Sequence, residues 1–219
     1  YNKEEMCLLN MIKQGVFGEM IHCRGGYQHD LREEIGWGDI NRHYRQDHFM
    51  HRCAELYPTH ELGPIAQYLN LNRGNRMLTL VSMATKAVGQ HLWMQENRAD
   101  SPLSQAKFNQ GDVVTTMIKC ANGELITLTL DTTLPRNYSR NFTVRGTNGY
   151  FSENCNGVYL EGVNGEWGHE FYNNVKEYRE QYEHPVWHKF EIEGVKGGHG
   201  GMDWLVFDAY FEALKTGDV

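Results

Sequence analysis

The chain has 219 residues, 40% hydrophobic and 22% charged, with a formal net charge of −7. Ordinary globular composition excludes a disordered chain, and the acidic balance speaks against a nucleic-acid groove, whose field is basic. No apolar run approaches the roughly 20 residues a membrane span needs.

The chain opens without an initiator Met, in a sequence that already reads as a helix, which predicts an upstream segment. Met6, Leu9 and Ile12 recur at helical spacing over 2–14, and Gly15 and Gly18 stop the run. A strand follows from Met20 to Tyr27. Residues 35–52 are rich in Trp, Tyr, His and Arg without a clear period, and read as a long functional loop with one short helix. Thr59 is expected to cap a helix from His60 to Leu69, with a turn at 72–75. The middle of the chain is strand-rich: 77–85, 112–121, 124–134 and 141–146, with ANGE (121–124) as a two-residue hairpin turn and shorter strands around a second NG. Residues 88–110 read as a helix and a polar excursion. Helices close the chain at 175–182 and 202–214. The fold class expected is α+β, an open, mostly antiparallel β-sheet flanked by helices in one domain over 1–219. No GxGxxG follows a strand, so no Rossmann half is expected here.

The five cysteines (Cys7, Cys23, Cys53, Cys120, Cys155) form no CxxC pair, which predicts free, mostly buried thiols and leans towards a reducing compartment. No HExxH or Cys/His cage spacing occurs, so no metal is expected.

Four stretches concentrate polar and aromatic groups. Tyr27 and His29, two apart in an extended segment, share a face and can bind a polyol and move a proton; a strand end with a solvated His fits equally. In Tyr57-Pro58-Thr59-His60, Pro58 holds the chain extended and His60 falls in the first helical turn, where the dipole favours neutral imidazole; an ordinary capped helix is the alternative. Pro135 to Arg140 joins two strands and either brings Tyr138 to a cleft or is an exposed bend with solvated arginines, which composition favours. Four glycines around His199, followed by Asp203, allow either a close ligand approach or a flexible helix entry.

The runs GGYQHDLR, LYPTHELGPIAQYLNLNRGNRM, TLDTTLPRNYSRNFTVRGTNG and GGHGGMDW resemble the C-terminal domain of the Gfo/Idh/MocA oxidoreductases, and most nearly the NAD-dependent α-N-acetylgalactosaminidases of glycoside hydrolase family 109. The resemblance implies a dihydrodipicolinate-reductase-like domain preceded by a separate nucleotide-binding domain that holds most of the cofactor, NAD with NADP left open. It implies a redox glycosidase cycle: hydride leaves C3 of an N-acetylhexosaminide, the C2 proton becomes acidic, the leaving group departs, water adds and hydride returns. By matching positions it implies His60, His29 and Tyr27 as proton-transfer and active-site groups, and Tyr27, Arg45, Tyr57 and Tyr138 as substrate contacts. Tyr57, Pro58, Thr59 and His60 are implied beside the nicotinamide, with His199 and Asp203 as a site wall. Expected partners are a sugar or glycoside and the protein's own N-terminal domain, in a homo-oligomer built through the sheet face. The family allows bacterial cytoplasm or, with a twin-arginine signal upstream, periplasm. His43-Tyr44 before Arg45 departs from the glycosidase pattern, where a Trp stands, which keeps a simple sugar dehydrogenase open. A non-catalytic sugar-binding or oligomerisation module of the same fold is the competing reading.

Overall fold

A computed structural model describes residues 1–165 and 171–217. The chain enters through helix α1 (Lys3–Lys13), capped by the Asn2 side chain accepting from the Glu4 N–H at 2.8 Å, and buries Cys7, Leu8, Leu9 and Met11 on one face. Strand β1 (Met20–Gln28) then takes the centre of a seven-stranded sheet. The other strands are β2 (Met77–Ala84), β3 (Val113–Cys120), β4 (Leu125–Asp131), β5 (Thr143–Gly146), β6 (Gly149–Ser152) and β7 (Gly157–Leu160), in the order β2-β3-β4-β1-β5-β6-β7. Among these pairings β1–β4 is parallel and the others are antiparallel. The sheet is thus open and mostly antiparallel, as expected for the α+β class. Its β3–β4 hairpin turns at Gly123, whose φ of 107° a side chain would resist.

Burial alternates along β3 and β4, so one face of the sheet is a core face. Onto it pack α1, α5 (Thr59–Tyr68) and α7 (Val175–Tyr182), which enclose Met11, Phe17, Cys23, Ile65, Ile126 and Val144. A second apolar cluster lies where β1 and β4 end: Tyr27, Ile35, Phe49, Met94 and Leu130. It is built by α2 (Arg32–Gly36), α4 (Tyr44–His51) and α6 (Gly89–Asn97), with the four-residue α3 (Gly38–Asn41) between the first two. Buried Asp112 accepts from the Val88 and Gly89 N–H groups and from Thr133 Oγ1, which anchors the start of α6 to the sheet. A third, small cluster joins α8 (Pro185–Glu193) to α9 (Met202–Thr216) through Trp187, Phe190 and Leu205. No described helix is long and apolar enough to cross a membrane. All five cysteines are free; Cys7, Cys23 and Cys120 are buried, Cys155 is intermediate and Cys53 is exposed.

Three expectations change. The segment 35–52 is three short helices, not a long loop. Each contributes only one or two inward residues, such as Ile35 and Phe49, so no helical period shows in the sequence. Arg98, stacked over Trp37, ties this segment down by donating to the Gly36 carbonyl and to Asp39. Thr59 is the first helical residue, not the cap: Pro58 holds that place, and no side chain caps the helix. The helix α8 was not expected at all; His184 caps it by accepting from the Val186 N–H, and Pro185 opens it.

Candidate functional site

The end of β1 carries Tyr27 to the seam between sheet and helices, beside the start of α5. Its ring centroid lies 4.6 Å from that of Tyr57, 4.8 Å from His60, 6.2 Å from His29 and 6.5 Å from Tyr138. His29 meets Tyr138 edge-on at 5.3 Å, and Tyr57 lies 4.9 Å from His60. Three segments far apart in sequence, the end of β1, the entry to α5 and the loop after β4, therefore converge. An isolated bridge between Gln28 and Ser139, with the Ser139 N–H donating to the Gln28 carbonyl at 2.9 Å, pins that loop to β1 and sets Tyr138 beside His29.

Arg45, on the first turn of α4, reaches the same cluster: its guanidinium carbon is 5.0 Å from the Tyr57 ring and 5.8 Å from Tyr27. Glu34 accepts from its Nη1 at 2.5 Å, and His43 Nε2 lies 3.1 Å from the same nitrogen. Glu34, not singled out in the sequence, and His43, noted there only as a departure from the glycosidase pattern, thus orient a candidate substrate contact. Nothing in the spacing marked Glu34, because the segment gave no helical signal.

Burial lowers the His60 pKa below the ordinary 6.5, helped by the charges of Arg140 and Arg45 and by His199. Desolvation is the first cause of that shift, and it acts in the direction expected of the helix dipole. Burial also raises the phenols of Tyr27 and Tyr138, against the opposing pull of Arg45 and Arg140 respectively. At neutral pH the cluster offers three phenol groups, a neutral His60 and the Arg45 cation. Such a set can hold a polyol and accept a proton from it.

Thr59 and His60 also line a cleft of about 690 Å³ between α1, α5 and α9. Pro64, inside α5, has no N–H to offer the His60 carbonyl four residues back, so that carbonyl lacks its usual helical donor. Among the described residues no group of three or more His, Cys, Asp or Glu is placed to hold a metal ion. Of the expected site wall, His199 is a secondary influence on His60. His199 Nδ1 pairs with Asp203 Oδ2 at 2.9 Å on an exposed turn entering α9.

The loop after β4 corrects the compositional reading of solvated arginines. Arg136 pairs with Asp131, and the largely covered Arg140 lies against Glu5 and Glu153. Glu61, next to His60, was also passed over. It is 1% exposed, its Oε1 has no hydrogen-bond partner, and burial raises its pKa from 4.5 to about 9. Adjacency to His60 was the only available signal.

The model of the glycosyl hydrolase 109 C-terminal domain matches residues 1–219. The chain belongs to that family. It is 40% identical to a glycosyl hydrolase family 109 protein of Stenotrophomonas maltophilia, over 99% of this chain and 51% of that protein. It is 38% identical to the alpha-N-acetylgalactosaminidase of Tannerella forsythia, over 99% of this chain and 50% of that one. The family 109 domain thus spans about half the length of these relatives. Among solved structures, an inositol dehydrogenase homolog complexed with NAD+ from Azotobacter vinelandii shares 12% identity at a TM-score of 0.49, covering 72% of this chain and 39% of that one. A likeness that distant bears on no functional question.

Proposed function

We propose that this family 109 domain forms the substrate-facing wall of an NAD-linked enzyme acting on a sugar, with a redox glycosidase on N-acetylhexosaminides as the finer reading. The observation that carries it is the convergence of Tyr27, Tyr57, Tyr138, His29, His60 and Arg45 on one patch. NAD, held mainly by a preceding nucleotide-binding domain, would supply the hydride acceptor, with NADP as the other candidate. The first turn of α5 and its entry, Tyr57 to His60, would face its nicotinamide end. Tyr27, Tyr57, Tyr138 and Arg45 donate hydrogen bonds to sugar hydroxyls and fix the ring. His60, neutral and half-buried, takes the proton of the hydroxyl being oxidised. His29, edge-on to Tyr138, orients that phenol or passes a proton through it. His199 and Asp203 would close the outer wall.

Full-length protein assayed with nitrophenyl glycosides and free sugars, following aglycone release and NADH absorbance, tests the reading. His60→Ala is expected to lower kcat by about 100-fold or more, the usual contribution of a positioned acid–base group. A variant that stays within about threefold of the parent removes His60 from this role.

The sheet face turned away from the helices supports assembly into a homo-oligomer. Val81, Met83 and Met117 are exposed there, and β2, out of reach of the helices, is open along its whole length. Light scattering should return a multiple of the monomer mass, and Met83→Lys should lower it. A strictly monomeric parent would end this proposal.

A further inference from the structure

Tyr44, the first residue of α4, stands beside the ring cluster, and the function proposed above gives it no part. It lines one narrow hollow together with Tyr27, Arg45, Tyr57, His48 and Thr132. The Arg45 guanidinium carbon lies 5.1 Å from the Tyr44 ring and 5.0 Å from the Tyr57 ring, so one cation joins the two. The Tyr44 ring is also held from its own segment. His43 stacks on it, with centroids 4.8 Å apart and planes 27° from parallel, and His48 meets it edge-on at 5.3 Å. His43 is fixed in turn: its Nε2 lies 3.0 Å from Glu34 Oε1, and its Nδ1 accepts from the Arg45 N–H at 3.3 Å.

We propose that Tyr44 is a further substrate contact, an aromatic platform at the rim of the site for the aglycone, a second sugar ring or an aryl group carried by the sugar that Tyr27, Tyr57 and Arg45 hold. It rests on the glycosidase reading given above. The hollow has a volume of about 10 Å³, room for one water or hydroxyl, so a ring must lie across its mouth and not inside it. Exposure grades along the lining. Tyr27, 9% exposed, forms the floor; the Arg45 side chain is 11% exposed, and Tyr44, at 49%, is the rim. A sugar seated over the floor covers Tyr27 and Tyr57, and what it carries outward past Arg45 meets Tyr44. Tyrosine suits that place: a rigid, flat, apolar ring packs on a sugar or aryl face while its hydroxyl stays in water. Because His43 and His48 already hold the ring, little further ordering is lost on binding. The competing account is that Tyr44 merely packs the start of α4 and so keeps Arg45 in place. The two accounts differ in selectivity. A packing role affects every substrate that Arg45 holds, whereas a platform affects only those that carry a second ring.

The test compares a nitrophenyl glycoside with the methyl glycoside of the same sugar in the full-length protein. Tyr44→Ala is expected to raise KM for the nitrophenyl substrate by about 5- to 10-fold, the usual effect of losing one aromatic contact, and for the methyl glycoside by less than about twofold. Tyr44→Phe, which keeps the ring, should match the parent on both. If Tyr44→Ala fails to fold, Tyr44→Leu carries the same comparison. Equal KM changes on the two substrates, no change on either, or a Phe variant that behaves like Ala overturns the proposal. A parent that turns over no glycoside removes the glycosidase reading and this platform together. A working parent whose two KM values are indifferent to Tyr44 removes the platform alone.

Discussion

Replacing Glu61 by Gln is expected to stabilise the domain at pH 8 far more than at pH 5. The Glu61 side chain lies between α5 and β1, and burial lifts its pKa from 4.5 to about 9 against the pull of Arg140, with the neighbouring carboxyls of Glu55 and Glu5 adding to the rise. Below pH 4.5 both folded and unfolded chains hold the proton, and the group has no effect. Between 4.5 and about 9 the unfolded chain releases it while the fold retains it, so stability falls as pH rises. Each pH unit in that window is worth about 1.4 kcal/mol at most. From pH 5 to pH 8 the advantage of the Gln variant should grow by about 2–4 kcal/mol, allowing for relaxation around the charge. Glu55, raised by burial to about 7, adds a smaller slope that Glu61→Gln leaves in place. Urea unfolding at the two pH values measures the difference; parallel losses in parent and variant would show that Glu61 ionises freely in the fold.

Gly25→Ala is expected to cost about 2–3 kcal/mol, an overpacking penalty that outweighs the conformational gain of replacing a strand glycine. A Cβ at position 25 would stand 2.3 Å from Cγ and 2.6 Å from Cβ of Glu61. Those atoms belong to the stem of a helical side chain, not its flexible end, so α5 must lift off β1. Because α5 carries His60, the same change should separate His60 from Tyr27 and lower activity in the full-length protein. Gly63→Ala in the same helix is the comparison: apart from its chain neighbours its Cβ meets nothing within 4 Å, but the Pro64 ring opposes a Cβ on the helical residue before it, so the net change should stay within about 1 kcal/mol. Thermal melts of the two variants compare them directly, and a Gly25→Ala protein as stable as the parent would refute the close approach.

This contact also gives Gly25 a role that the sequence left open. Read along the chain, Gly25-Gly26 is only a glycine pair ahead of Tyr27. In space, Gly25 makes room for Glu61, and a Cβ on Gly26 would strike the Thr129 carbonyl oxygen of β4 at 2.3 Å. Close approach between distant segments leaves no local trace beyond the missing side chains.

Features under short-range control could be read along the chain before any fold was known. The alternating β3 and β4, the Asn-Gly turn between them, α1 and the first turn of α5 were all legible, since periodicity, turn chemistry and proline each act over a few residues. Membership of family 109, and with it the candidate set Tyr27, His29, Arg45, Tyr57, His60 and Tyr138, was readable from motif runs that stay contiguous. Other features arise only when distant segments meet. The parallel pairing of β1 with β4 registers His22 against Leu125 and brings Tyr27 level with Leu130, which places the loop bearing Tyr138 at the end of β1. The short helices α2 to α4 are stable only because Arg98 and the second apolar cluster hold them, so their own sequences carry little helical signal. The inward turn of Arg140 and the retained proton of Glu61 depend on burial among groups from α1, α5 and the loop after β4. Desolvation is a property of the assembled fold, and no spacing along the chain encodes it.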